Sequence, residues 1–491
     1  MRFAAASAIW YHYGIEIKEN EMNAAMSGLS RRGFLRAAAA ASPFLAGGCF
    51  SIGYPDGKRP KASERINLAV IGCGGMGGAN MSQFLQDKRV QITLVCDPIF
   101  GPTDDHPFKG NGRDVFRRRV DEFYKTQGCR MTADWREVAA DPTIDAVLIA
   151  TPDYWHALMA VGCMKAGKHV YCQKPLSLGI NEGREMVRVS KMCNVTFQVG
   201  NQGRANSVKR IAAEIVRNKL IGELKSVTVA IPSAKIGSWW WGDSTKLTRG
   251  KPPACYSKES WGLWMGPTRH WEGDAFIPAI HSPMIWRICN RTGNGLIPDF
   301  GAHEIDTVQW ALDTERTGPV AIENFKADTF NEPRECFSWA MNFEFDVVYA
   351  SGMRVHVLST RKDYPRGIWF HGEKGTVHEG LYSGLPVKLD LPAHLKKWRE
   401  KKDLKDTDIR LYAPKDGHSH EMDFIDGIYE NRPVATDCEI GHRTTSICLL
   451  ANICERLGRS GLKWDPVAER AIGDDAANEL LDVPHLNGWT L

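Results

Sequence analysis

The chain has 491 residues, of which 43% are hydrophobic and 24% are charged, and its formal net charge is +4 at pH 7. A chain of this length predicts two or more domains, each with a hydrophobic core. Its basic residues are dispersed apart from the run at 117–119. This pattern argues against nucleic acid as a partner.

The first chemical signal is the stretch SRRGFLRAAAAASPFLAGGC at residues 30–49. Its paired arginines and short apolar run are typical of a twin-arginine export signal, and the run is too short to span a bilayer. We predict residues 1–49 as this signal, with Met26 as an alternative start, and residues 50–63 as a linker. The mature protein would be periplasmic, and Cys49 could carry a lipid as its only membrane attachment. An accidental arginine pair before an alanine-rich stretch is the alternative.

A nearly continuous apolar run then leads from Ile66 into the sequence GCGGMGG. This pattern predicts a buried parallel strand that turns tightly into a helix. Glycines spaced as G-x-G-x-x-G allow such a turn and let backbone amides approach a pyrophosphate at the helix N-terminus, although a glycine-rich turn without a ligand is the alternative. The residues predicted to contact the cofactor here are Gly72, Gly74, Gly75, Met76 and Gly77.

The second apolar run, VQITLVCDP, ends in Asp97, 20 residues after Gly77. An acid in this place can accept hydrogen bonds from an adenosine ribose and repels a 2′-phosphate, which favours NAD over NADP. Arg113 and the arginines at 117–119 could still bind a 2′-phosphate, so NADP is the alternative. A turn residue without a ligand is the alternative for Asp97.

Three further apolar runs, at residues 145–153, 168–175 and 195–202, alternate with helix-like segments. This alternation predicts a doubly wound parallel sheet of the Rossmann type, which we assign to a domain at residues 64–202. Beyond it, alternating segments predict a largely antiparallel sheet in a second domain at residues 203–491.

Several of the thirteen cysteines lie in apolar runs, and we predict that most of these are core residues rather than members of disulfides. The six that belong to such runs are Cys73, Cys96, Cys163, Cys172, Cys448 and Cys454. We predict no metal site, because the histidines and the glutamate at residues 418, 420 and 421 match no zinc spacing.

Five motifs occur in order between about residues 66 and 306: GCGGMGG, CDP, ATPDYWHA, QKP and PDFGAHEID. Together they resemble the Gfo/Idh/MocA oxidoreductases, which include glucose–fructose oxidoreductases and inositol dehydrogenases. The resemblance implies a Rossmann domain followed by an α+β domain with a large, mostly antiparallel open sheet. Because that sheet often builds a dimer or tetramer in the family, we expect a homo-oligomer.

The resemblance also implies that Lys174, Asp299 and His303 are catalytic. The family's usual motif is Glu-Lys-Pro, whereas this chain has Gln173 before the lysine. Proline disfavours helical geometry in the preceding residue, so Lys174 is expected at the sheet edge. Asp299 and His303 are four residues apart on a predicted helix, which places them on one face, where the carboxylate could orient the imidazole. The further predicted cofactor contacts are Thr151, Pro152, His156 and Lys174.

The substrate side is predicted from a tryptophan-rich stretch between residues 237 and 286. Flat aromatic side chains suit the apolar faces of sugar rings. The predicted substrate contacts are Arg204, Trp240, Trp286, Asp299 and His303.

These patterns predict an exported oxidoreductase that uses NAD(P), with NAD favoured, and moves a hydride to or from a sugar, glycoside or polyol carbon. NAD should be tightly bound, because free NAD is scarce outside the cytoplasm. One alternative is an NAD-dependent glycosidase that oxidises its substrate transiently, with no net redox change. The other is a non-catalytic lipoprotein that binds carbohydrate or cofactor.

Overall fold

The computed structural model describes residues 65–101, 111–233, 257–268, 285–290, 292–328, 339–380, 388–396 and 408–491. Except for 140–143, these residues belong to one compact unit. The predicted signal, the linker, Cys49 and Trp240 lie outside the described ranges. No helix within those ranges has the length and apolarity needed to cross a membrane.

The first sheet has six parallel strands in the described chain, in the order β3-β2-β1-β4-β5-β6. The strands are β1 (Ile66–Ile71), β2 (Val90–Cys96), β3 (Arg130–Thr132), β4 (Ala146–Ile149), β5 (His169–Cys172) and β6 (Phe197–Val199). The helices between them are α1 (Gly75–Leu85), α2 (Arg113–Tyr124), α3 (Trp135–Ala140), α4 (His156–Lys165) and α5 (Ile180–Cys193). The strand order reverses between β1 and β4, which is the position where open α/β sheets bind ligands.

The second sheet has nine strands in the described chain, in the order β13-β12-β11-β7-β10-β9-β8-β14-β15. The strands are β7 (Leu224–Ile231), β8 (Ala321–Ala327), β9 (Phe343–Val348), β10 (Arg354–Ser359), β11 (Gly367–Gly372), β12 (Gly375–Gly380), β13 (Lys388–Asp390), β14 (Leu462–Asp465) and β15 (Arg470–Ala471). Neighbours are antiparallel except β7 and β10, which are parallel. The predicted fold class is confirmed.

Six further helices belong to this second part of the chain within the ranges given above. They are α6 (Ser207–Arg217), α7 (Lys258–Met265), α8 (Leu296–Leu312), α9 (His420–Glu430), α10 (Cys438–Leu457) and α11 (Asp475–Glu479). Helix α8 has Pro298 in its first turn, where a backbone N–H has no partner within the helix, so proline is tolerated there. This helix contacts α6, α10 and β7, and almost all of its residues are buried.

The core residues agree with the apolar runs of the sequence. Strand β1 is buried at five of its six positions, as expected for a strand covered on both faces. All six cysteines predicted to be core residues are free and buried, and no disulfide links the ten described cysteines.

Candidate active site

The glycine-rich turn between β1 and α1 uses its glycines in two different ways. Gly72 has a φ of +98°, and a Cβ on it would lie 2.4 Å from the carbonyl oxygen of Ala150. A Cβ on Gly77 would lie 2.0 Å from the carbonyl oxygen of Gly72. These two positions need glycine for the turn itself, whereas a Cβ on Gly74 or Gly75 would meet no atom within 4 Å.

The open space beside Gly74 and Gly75 lies at the N-terminus of α1, where backbone N–H groups without a helical partner favour an anion. Met76, in the first turn of the same helix, is 40% exposed. The turn therefore has the room and the donors that a pyrophosphate needs.

Asp97 lies beside this turn, at the end of β2. Its Oδ2 accepts a hydrogen bond from the Cys73 amide at 2.8 Å, and its Oδ1 accepts one from the Ile99 amide at 2.8 Å. Burial raises the pKa of Asp97, and the two amides and Arg113 act in the opposite direction. The Arg113 guanidinium itself donates to the backbone oxygens of Asp97 and Pro98.

The predicted contacts Thr151 and His156 lie at the carboxyl ends of the strands, with Pro152 in the same loop after β4. The ring nitrogens of His156 lie 2.7 Å from the Pro175 oxygen and 3.0 Å from the Thr151 oxygen, and burial lowers the pKa of His156 to about 4. His156 therefore joins the loops that follow β4 and β5. These contacts favour a positioning role for His156, and its direct contact with the cofactor stays a prediction.

At this edge, Thr151 Oγ1 and Gln173 Oε1 are among the side-chain atoms that are buried without a hydrogen-bond partner in the described chain. Buried polar atoms in native proteins are nearly always paired. Unpaired atoms beside a glycine-rich turn fit a ligand rich in hydroxyl and amide groups, as a dinucleotide is. The residues present therefore fit NAD.

Lys174 is held by Asp299 on α8. Its Nζ donates to Asp299 Oδ1 at 2.6 Å and to the Asp299 backbone oxygen at 2.5 Å. Arg287 Nε lies 3.1 Å from the other carboxylate oxygen, Oδ2. Burial alone would raise the pKa of Asp299, but the charges of Lys174 and Arg287 lower it below its ordinary value. Asp299 is therefore a carboxylate held between two cations.

His303 lies one turn further along α8. Burial, followed by the charges of Lys174, Arg366 and Lys209, lowers the pKa of His303 well below its ordinary value. The imidazole is therefore neutral at neutral pH and can accept a proton. Among the described residues none forms a hydrogen bond with its ring, and the predicted orientation of this ring by Asp299 is not seen, since the carboxylate bonds Lys174 instead.

Two charged residues of this cluster were missed by the sequence analysis. Arg287 lies in a short 3₁₀ helix, Ile285–Ile288, and no motif marked it. Asp153 is part of the motif ATPDYWHA and is 3% exposed; its Oδ2 accepts a hydrogen bond from the Asn294 amide at 3.2 Å. Burial and the nearby charge of Asp299 raise the pKa of Asp153 to about 7.

The other predicted substrate residues have different outcomes. Arg204 is 3% exposed and forms ion pairs with Asp306 at 2.7 Å and Glu315 at 2.5 Å, so the structure gives its guanidinium protein partners. Trp286 is partly buried, and its ring lies 4.4 Å from the guanidinium carbon of Arg287, which joins it to the Asp299 cluster. Trp240 falls outside the described residues.

The residues considered for a metal have protein partners as well. His420 contacts Tyr171 and Thr436, and Glu421 accepts from Asn80. In the ranges that the structure describes, no group of three or more potential metal-ligating side chains is assembled.

Two family models match the chain. Residues 66–201 match a model described as an oxidoreductase family with an NAD-binding Rossmann fold. Residues 205–491 match a model described as an oxidoreductase family, C-terminal alpha/beta domain.

Curated relatives match over part of their length. A levoglucosan dehydrogenase of Pseudarthrobacter phenanthrenivorans is 35% identical over 165 residues, which cover 33% of this chain and 40% of that protein. A glycosyl hydrolase family 109 protein of Shewanella baltica is 26% identical over 223 residues, which cover 40% of this chain and 45% of that protein. The chain thus spans less than half the length of these relatives.

Solved structures share the fold over most of the chain. A levoglucosan dehydrogenase in complex with NADH and levoglucosan aligns with a TM-score of 0.53 at 18% identity, covering 82% of this chain and 99% of the other. An aldose–aldose oxidoreductase from Caulobacter crescentus, complexed with glycerol, aligns with a TM-score of 0.53 at 16% identity, covering 82% and 100%.

Proposed function

Because the chain belongs to the Gfo/Idh/MocA family of oxidoreductases, we propose that it moves a hydride between NAD and a hydroxyl-bearing or keto carbon of a sugar, glycoside or polyol. The observation that carries this proposal is the anchoring of the Lys174 ammonium by Asp299, with a neutral His303 one turn away. This cluster lies at the carboxyl edge of the nucleotide-binding sheet. The levoglucosan dehydrogenase relatives support the sugar class.

Lys174, His303 and Asp299 would have different roles in this reaction. When bound, NAD would supply the hydride chemistry at its nicotinamide ring. An ammonium has three donors, and Lys174 uses two of them on Asp299, which leaves the third for a substrate oxygen. The neutral His303 imidazole would take the hydroxyl proton during oxidation and return it during reduction. Asp299 would hold Lys174 in place.

NAD is proposed in preference to NADP. The Asp97 carboxylate lies beside the glycine-rich turn, where it would accept from a ribose hydroxyl and repel a 2′-phosphate. The arginines considered for a phosphate have partners within the protein. Arg113 bonds two backbone oxygens, Arg117 pairs with Asp114, and Arg119 packs over Phe116.

The test begins with the full chain purified from cells. We expect mass spectrometry of the denatured protein to detect NAD, and a screen of sugars and glycosides to change absorbance at the nicotinamide band. Lys174→Met should reduce turnover about 10²–10³-fold, because it removes the ammonium that would donate a hydrogen bond to the reacting substrate oxygen, while NADH still binds. Lys165→Met, at an exposed lysine, is the matched control. Failure to bind NAD at all would refute the proposal.

A second candidate is an NAD-dependent glycosidase. It is supported by the matched glycosyl hydrolase family 109 proteins and by an alpha-N-acetylgalactosaminidase of Shewanella oneidensis that is 28% identical over 171 residues. Lys174 and His303 could serve that chemistry too. Release of an aglycone without accumulation of NADH would favour the glycosidase, and net NADH formation from free sugar would favour the dehydrogenase.

We also propose export by the twin-arginine route and a homo-oligomeric assembly. Paired Arg31 and Arg32 support the route. Replacement of both by lysine should retain the protein in the cytoplasm, as measured by cell fractionation.

Light scattering of the purified protein tests the homo-oligomeric assembly. Palmitate labelling of wild type and Cys49→Ala tests whether Cys49 carries a lipid anchor.

A further inference from the structure

We infer that the side-chain oxygen of Gln173 accepts a hydrogen bond from the nicotinamide riboside half of the cofactor, and that Asn80 and Glu421 are positioning residues that hold it in this orientation. The inference rests on the proposed function, because it requires NAD to bind.

Gln173 directly follows β5 and precedes Lys174, at the edge of the sheet where the nicotinamide would lie. Its side chain is 4% exposed and lies against the backbone of Gly200. A Cβ on Gly200 would be 2.6 Å from Gln173 Nε2 and 2.9 Å from Oε1. The glutamine amide therefore has little freedom to move.

A chain of hydrogen bonds determines which way this amide faces. Gln173 Nε2 donates to Asn80 Oδ1 at 2.7 Å, and Asn80 Nδ2 donates to Glu421 Oε1 at 2.7 Å. The Tyr171 hydroxyl donates to the same carboxylate oxygen at 3.3 Å. Because Asn80 turns its NH₂ toward Glu421, its side-chain oxygen faces Gln173. Gln173 must then present its own NH₂ to Asn80.

This arrangement leaves Gln173 Oε1 as a buried acceptor with no donor in the described chain. An unpaired buried acceptor is unfavourable, and a ligand donor would remove that cost. The nicotinamide riboside offers two kinds of donor, the carboxamide N–H and the ribose hydroxyls. Either would complete the hydrogen bonding of Gln173.

The same chain of bonds explains how glutamine can stand where the family usually has glutamate. A carboxylate at residue 173 would face the Asn80 oxygen, and both groups are acceptors. The carboxyl group of this run of hydrogen bonds instead lies beyond Asn80, at Glu421, which belongs to α9. The Asn80 oxygen thus needs a donor at residue 173, which glutamine provides and a carboxylate does not.

The first experiment measures binding by calorimetry with three ligands: NAD, ADP-ribose and 3-acetylpyridine adenine dinucleotide, which lacks the amide N–H. Gln173→Met should weaken NAD binding about tenfold, the effect of about one lost hydrogen bond. If the carboxamide is the donor, only NAD is affected. If a ribose hydroxyl is the donor, all three ligands weaken. Gln309→Met, at another buried glutamine, is the matched control and should change none of them.

Two results of this experiment separate the inference from the proposed function. Equal affinity of wild type and Gln173→Met for all three ligands would overturn the inference alone. Failure of wild type to bind NAD would overturn the proposed function, and the inference with it.

The second experiment tests the direction of the hydrogen bonds without cofactor, by thermal unfolding. Gln173→Glu should lower Tm, because it opposes two acceptors. Adding Glu421→Gln should restore Tm, because Asn80 can then reverse and accept from the new glutamine. If Glu421→Gln shifts Tm equally in wild type and in Gln173→Glu, the two residues are not coupled through Asn80 and the positioning role is wrong.

Discussion

The Asp299 carboxylate is the residue on which the proposed chemistry depends most. It contacts Lys174 through one oxygen and faces Arg287 with the other. The two cations lower the pKa of Asp299, so its carboxylate stays ionised and holds the Lys174 ammonium in place. The motifs QKP and PDFGAHEID identified Lys174 and Asp299 as candidates. The two residues are 125 positions apart in the chain, so no local sequence pattern predicts the hydrogen bond between them.

Asp153 provides a pH-dependent test of this charge cluster. Its pKa is raised to about 7 in the folded protein, from an ordinary value of 3.8. The folded state therefore binds the proton more tightly than the unfolded state. The stability that this proton contributes to the wild type is lost as pH rises from the ordinary pKa of 3.8 through the folded-state pKa of about 7. Asparagine does not titrate, so Asp153→Asn does not lose stability in this way as pH rises. We expect its free energy of unfolding, relative to wild type, to rise by about 2 kcal/mol between pH 5 and pH 8.

Urea denaturation of both proteins at the two pH values measures this difference. Asp363→Asn, at an exposed aspartate, is the control and should show no change between pH 5 and pH 8. A constant difference between wild type and Asp153→Asn would show that the proton on Asp153 does not contribute.

The turn between β1 and α1 shows how far a sequence pattern can predict an element. The glycine spacing predicted a strand, a tight turn and a helix, and the structure has them at Ile66–Ile71 and Gly75–Leu85. The pattern could not tell which glycines serve the turn and which leave room for a ligand. For Gly72 that distinction depends on Ala150, which belongs to the neighbouring strand connection, and for Gly77 it depends on the backbone of Gly72.

A pair of substitutions tests this distinction. Gly74 has φ −109° and ψ −162°, which alanine can adopt, and a Cβ there meets no protein atom. Gly74→Ala should therefore leave Tm unchanged and weaken NAD binding about tenfold or more, because the methyl group occupies the space for the pyrophosphate. Calorimetry and thermal unfolding measure the two effects. Unchanged affinity would mean that the open space is not a cofactor site.

Gly77→Ala is the matched contrast. Its Cβ would lie 2.0 Å from the backbone oxygen of Gly72, so the helix and the turn cannot both keep their places. We expect a strongly lowered Tm along with lost NAD binding. A normal Tm in Gly77→Ala would contradict the role assigned to this glycine.

Strand boundaries in the second sheet were less predictable. A turn in which the Tyr349 amide donates to the Met353 oxygen separates β9 from β10. The parallel pairing of β7 with β10 joins segments more than 120 residues apart. Alternation predicts that a segment is extended, while its neighbour is chosen by packing against the rest of the sheet.

At the scale of the whole molecule, Arg204 links the two parts of the chain. It lies in the 3₁₀ helix Gln202–Ala205, just after the first sheet, and pairs with Asp306 on α8 and with Glu315. Its guanidinium also lies 4.7 Å from the centre of the Trp310 ring. Its predicted contact with substrate remains untested, but these contacts favour a structural role.

Arg204→Met should therefore lower the free energy of unfolding by about 3–5 kcal/mol, because it leaves Asp306 buried and unpaired. The KM for sugar should be unchanged. Denaturant unfolding and steady-state kinetics measure both quantities. Arg316→Met, which breaks an exposed ion pair with Asp437, is the control and should cost about 1 kcal/mol or less. A raised KM with unchanged stability would restore Arg204 as a substrate residue.

By itself the sequence determined the class of fold, the nucleotide-binding turn and the identity of the residues at the catalytic motifs. These features are local, because hydrophobic period and glycine spacing act over a few residues. Only the tertiary structure decided which groups are partners: Asp299 with Lys174 rather than His303, Arg204 with Asp306, and Gln173 with Asn80 and Glu421. These partners lie far apart in the chain. Because a buried polar or charged group is costly without a partner, each one pairs with the groups that tertiary packing brings within hydrogen-bond distance.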